Sequence, residues 1–146
     1  MSLITVAQLK EICPVHNNVA NEKLESPILL YQETAIRDVL GTKLYDHLIA
    51  NTSSTSPPYT TLISNYIKPA LAWGAFSNCF YELHYQFSQN GINVHRTENT
   101  EPVDASTLKV ISEDYKGKAQ FYLDRLITHL RAKYTLYPKY TEATTD

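Results

Sequence analysis

The sequence predicts an all-α protein, and three observations carry that prediction. Apolar residues recur at steps of three and four over long stretches, the period of a helix with one buried face. Helix starts and stops are written at the right places, including a Thr5-x-x-Gln8 capping pair and a glycine at position 41. The segment from Pro69 to Phe76 is apolar on nearly all sides, the mark of a helix buried at the centre of others.

Thr5 opens a short first helix with Val6, Leu9 and Ile12 on one face, Pro14 ends it, and Asn17-Asn18 marks a turn. A second helix spans about 21–40, with Leu24, Ile28, Tyr31, Ala35 and Val39 as its inner stripe. Glu33 and Arg37 form an i,i+4 pair on its wet face. Pro27 leaves two possibilities: a kink, or a helix that starts there with Ser26 as its cap. Thr42 is expected to cap a short helix containing Leu44, Tyr45, Leu48 and Ile49. The polar segment 51–58 reads as a surface loop.

A third long element runs from about Tyr59 to Phe87, with Leu62, Ile63, Tyr66 and Ile67 followed by an expected kink at Pro69. Ala70, Gly74 and Ala75 allow close approach of neighbouring helices. Trp73 is expected to be enclosed, so that Trp73→Asp would unfold the protein. The last helix starts at Asp104 or Ser106 and continues to about Tyr134. Its stripe is Leu108, Ile111, Tyr115, Ala119, Tyr122, Leu126 and Leu130, widened by Phe121, Leu123, Ile127 and Tyr134. The expected core comprises Leu24, Ile28, Tyr31, Ile67, Leu71, Trp73, Phe76, Phe80, Tyr122 and Leu126. The whole chain reads as one domain of four to five helices without internal repeats.

Two segments stand outside this pattern. Residues 88–103 contain an Asn90-Gly91 turn signal and read as a projecting arm or small β-hairpin; a surface loop without a role is the alternative. Residues 136–146 read as an irregular tail. Contacts with other subunits are expected at Asn90, Ile92, Val94, His95 and Arg96 in the arm, and at Tyr134, Tyr137 and Tyr140 near the tail.

Composition narrows the function. Apolar residues make up 43% and charged residues 19%, which excludes a disordered chain, and the net charge of −2 gives no strong field towards nucleic acid. Eleven Tyr stand beside four Phe and one Trp. Tyr suits surfaces that are buried only on assembly, and it equally suits the rim of a monomer core. Cys13 and Cys79 form neither a disulfide framework nor a zinc pattern, and Cys79 is expected in the core of a protein made in a reducing cytoplasm. The N-terminus lacks the basic region and apolar run of a signal peptide.

No catalytic constellation is legible. His16, His47, His84, His95 and His129 are scattered, no pair lies at i,i+4, and no His-Glu-x-x-His, phosphate-binding glycine loop or Gly-x-Ser-x-Gly elbow occurs. No enzyme activity, metal or cofactor is therefore expected. The last helix carries Lys109, Lys116, Lys118, Arg125 and Arg131, followed by Lys133, against Glu113, Asp114 and Asp124. That mild basic bias supports an alternative, a small DNA-binding or regulatory protein.

Four stretches in order give a more specific expectation. They are Ser2-Leu3-Ile4-Thr5-Val6-Ala7-Gln8-Leu9-Lys10, Leu40-Gly41-Thr42-Lys43-Leu44-Tyr45-Asp46, Tyr66-Ile67-Lys68-Pro69-Ala70-Leu71-Ala72-Trp73 and Phe121-Tyr122-Leu123-Asp124-Arg125-Leu126. Together the chain resembles head–tail connector (adaptor, head-completion) proteins of tailed phages infecting Bacteroidetes, crAss-like phages included. The resemblance implies a helical-bundle protomer in a ring, commonly of twelve, docked beneath the portal in the virion. Such a ring extends the DNA channel and presents a platform for the tail. Its partners would be further copies of the chain, the portal protein, other connector or tail proteins and, without sequence preference, the DNA in transit. It implies no membrane association, no cofactor and no catalysis.

Overall fold

The computed structural model describes residues 2–15, 17–51, 56–89 and 105–140. Among these residues the fold is all-α, with no strand. In chain order the elements are α1 (Val6–Ile12), α2 (Asn21–Tyr31), a π-helical turn (Gln32–Ile36), α3 (Arg37–Leu40), α4 (Thr42–Ala50), α5 (Tyr59–Thr61), a second π-helical segment (Leu62–Ile67), α6 (Lys68–Gln89) and α7 (Ala105–Ala132). A 3₁₀ turn (Tyr134–Leu136) follows.

Local chemistry accounts for the ends. The Thr5 hydroxyl accepts from the Gln8 amide at 3.1 Å, and the Gln8 side chain accepts from the Thr5 amide at 3.0 Å, so the capping box is formed. Gly41 has φ 80°, a conformation that side chains disfavour, and it turns the chain from α3 into α4. Thr42 is the first residue of α4, and Gly41 is its cap.

The two internal prolines do not break their helices. α2 passes through Pro27 without Ser26 acting as a cap. Ahead of Pro69 the chain adopts the wide π form, with the Lys68 amide bonded to the Ile63 carbonyl five residues back. The wider turn absorbs the donor and the space that proline denies to an α-helix.

One core runs from Leu3 near the N-terminus to Tyr140. α6 is its axis and carries Ala70, Leu71, Ala72, Ala75, Phe76 and Cys79, all buried. It takes α2 against one side, where the Tyr31 ring lies on Gly74. It takes α7 against another, where Tyr115 packs on Trp73, Phe76 and Phe80 at ring separations of 5.7, 5.0 and 5.1 Å. Of the expected core, Leu24, Ile28, Ile67, Leu71, Phe76 and Leu126 are buried, while Tyr31, Trp73, Phe80 and Tyr122 are half-buried at its edge. Trp73 is thus not enclosed: it sits where α6 meets α7, with the Lys118 ammonium 5.1 Å from its ring.

A buried amide fastens the N-terminal segment. Gln32, fully buried in the first π turn, accepts from the Leu3 amide at 2.6 Å and donates to the Tyr45 hydroxyl at 3.0 Å. That hydroxyl donates to Glu33 at 2.6 Å. Glu33 also pairs with Arg37 at 3.5 Å, as the i,i+4 spacing predicts. The network gives a polar side chain inside the core the partners it needs.

Candidate functional site

Two features concentrate chemistry or exposed apolar area. The first is an aromatic cluster that joins four parts of the chain. His129 of α7 stacks on Tyr66, with ring centroids 3.9 Å apart and planes 13° from parallel. Its Nε2 lies 2.8 Å from the Tyr137 hydroxyl. Tyr137 packs on Tyr59 at 5.7 Å, and Tyr59 on His47 at 4.9 Å. The Arg125 guanidinium covers the Tyr66 ring at 5.0 Å.

The cluster explains where the end of the described chain goes. Tyr137 and Tyr140 are buried against this chain's own helices, and of the three tyrosines expected at a subunit contact Tyr134 alone is exposed. The remaining expected contacts, Asn90, Ile92, Val94, His95 and Arg96, lie outside the described residues, and α6 already includes Ser88 and Gln89. The segment 134–140 is not irregular: a 3₁₀ turn and a further helical turn lay it across the bundle of rings.

Burial lowers the His129 pKa from its ordinary 6.5, and the nearby Lys133 and Arg125 charges lower it further. In the unfolded chain His129 takes up a proton near pH 6.5, whereas in the folded chain it does so only at lower pH. Its contribution to stability is therefore complete above about 6.5 and is lost as pH falls towards the folded value. The melting temperature of the wild type should fall between pH 7.5 and 5.0 by more than that of His129→Gln, which keeps a hydrogen-bonding group but does not titrate. Parallel melting curves for the two proteins would refute this role for His129.

The second feature is a pair of exposed apolar faces. On α7 the buried stripe is Ala119, Leu126 and Leu130, with Tyr115 and Tyr122 half-buried beside it. Phe121 does not widen that stripe; it is 61% exposed and lies with Val110, 66% exposed, about half a turn away. Gly117 lies between them, and a Cβ added there would meet nothing within 4 Å. Trp73, Lys118, Phe121 and Tyr122 border a shallow depression of about 480 Å³ beside this face. On α2, Leu24 and Ile28 point inward while Leu29 and Leu30 are exposed, the latter at 61%. Ser26, Pro27 and Leu30 edge a second hollow of about 320 Å³, floored by Asn78, Cys79 and Leu83. The 7-and-4 spacing of Val110, Gly117 and Phe121 was a legible signal for the α7 face; Leu29 and Leu30 carried none beyond their offset from the α2 stripe.

Among the described residues, no three of His, Cys, Asp and Glu come together as metal ligands would. Both cysteines are buried and free. Burial, with smaller effects from Cys79 and Lys118, leaves the Cys13 thiol pushed up to about 12, where it stays protonated and a poor nucleophile. No helix among the described residues is long and apolar enough to cross a membrane.

The structure therefore defines an all-helical protein whose conspicuous surface features are apolar and aromatic. A family model matches residues 36–145, and the chain belongs to that family, DUF6712, a family of unknown function. No curated protein and no solved structure matches the chain.

Proposed function

We propose that this chain is a structural virion protein, one subunit of a ring at the portal–tail junction of a tailed phage. The observation that carries the proposal is the ordered set of four connector-like stretches, 2–10, 40–46, 66–73 and 121–126. In this reading the protomer is a bundle of four to five helices, with an arm following α6 that reaches a neighbouring subunit or the portal. The ring extends the DNA channel and joins head to tail. It works by packing and needs neither a cofactor nor catalysis. The exposed apolar faces of α2 and α7 support it, because a subunit of a permanent ring must present such faces before assembly.

The test is physical association with the virion. Mass spectrometry of purified particles should find the chain in numbers comparable to the portal protein, and the recombinant chain should bind purified portal. A chain absent from virions that also fails to bind portal would end the proposal. The DNA-binding alternative is less well supported: Glu113, Asp114 and Asp124 interrupt the basic residues of α7, and Lys118 is paired with Asp114 at 3.4 Å. Duplex affinity that rises steeply as salt is lowered would favour it instead.

A further inference from the structure

We infer that the outer face of α7 in one copy of this chain docks on the outer face of α2 in the next, making a head-to-tail contact. The two faces belong to different sides of the molecule, because α2 and α7 pack against different sides of α6. Each exposes large apolar side chains: Val110 and Phe121 on α7, Leu29 and Leu30 on α2.

Charge decides which face meets which. Over 105–132, α7 has five Lys and Arg against three Asp and Glu, a net +2. Over 21–40, the α2 side has four Asp and Glu against two Lys and Arg, a net −2. Two α7 faces would repel, as would two α2 faces, whereas α7 against α2 is attractive. Glu22 and Glu25 have no salt-bridge partner among the described residues, and neither have Lys109 and Lys116.

Gly117 adds an independent observation. A glycine in the interior of a long helix weakens it, and that is usually tolerated where a neighbour needs the space. Nothing in this chain uses the space at Gly117. A helix of a second copy, seated between Val110 and Phe121, does use it. The hollow beside Pro27 and Leu30 then accepts the Phe121 ring of the neighbour. A contact between two different faces repeats, and closes into a ring when the rotation per subunit permits. The inference thus supplies the subunit contact of the ring proposed above and rests on that reading for closure, but its test does not require portal.

Phe121→Asp and Leu30→Asp are the informative variants, because both side chains are mostly exposed and neither is in the core. Sedimentation velocity of the full chain, at concentrations up to about 1 mM, should show concentration-dependent association of the wild type and monomers for each variant. Mixed in equal amounts, the two variants should form a 1:1 dimer that grows no further, since each retains the face that the other lacks. Gly117→Ala should raise the melting temperature of the dilute protein and weaken association at least tenfold. A wild type that stays monomeric throughout would overturn the inference. So would a Leu30→Asp variant that associates like the wild type, or a mixture without dimers. Rings on portal that are insensitive to both variants would overturn this contact and leave the connector reading standing.

Discussion

Leu71→Asp is expected to leave no folded protein at room temperature. Leu71 is fully buried in α6, the helix against which α2 and α7 both pack. An unpaired carboxylate in such a place costs several kcal/mol or must take up a proton, while a whole domain is stable by only about 5–15 kcal/mol. Far-UV circular dichroism should show the loss of helix directly. A cooperative melt near that of the wild type would mean that α6 is not the axis of the core. Trp73→Asp should be milder, because that position is half-buried and the Lys118 ammonium stands beside it.

Gly74→Ala is expected to destabilise the protein, although Ala is the better helix former. An added Cβ would lie 2.1 Å from two carbons of the Tyr31 ring. The ring must leave its seat on α6, and overpacking of this kind costs about 1–3 kcal/mol. That exceeds the roughly 1 kcal/mol that Ala contributes to an exposed helix. In a Tyr31→Leu background the obstructing ring is gone, and the same substitution should become neutral or stabilising. Urea denaturation of the four proteins measures the reversal; a Gly74→Ala penalty that persists without the ring would show that the close approach of α2 is not its cause.

These two positions show how much the sequence discloses. The small residues at 70, 74 and 75 announce close packing on α6, and the stripe ending in Leu126 and Leu130 gives the inner face of α7. The capping box at Thr5 and the stop at Gly41 place helix ends to within a residue. Phe121 is different. Hydrophobicity alone puts it in the widened stripe, and only its angle around the helix, set against the buried residues, turns it outward. Tyr137 is harder still, since its burial depends on Tyr59, Tyr66 and His129, which meet only in the folded chain. The matched family describes no activity, so the function must be sought in what the exposed faces can bind.

The two π-helical turns, at 32–36 and 62–67, carry a consequence for how this sequence can change with time. A π turn is an α-helix that has accommodated one extra residue. Losing one residue there would restore the ordinary pitch and rotate everything downstream by about 100° relative to what precedes it. For the second turn, that would swing the Leu71 side of α6 away from the core it now organises. Substitutions can accumulate along these helices without loss of register, but the number of residues between Leu62 and Leu71 is held by the geometry itself. In relatives of this chain, gaps should therefore gather in the connections between helices and avoid these two turns.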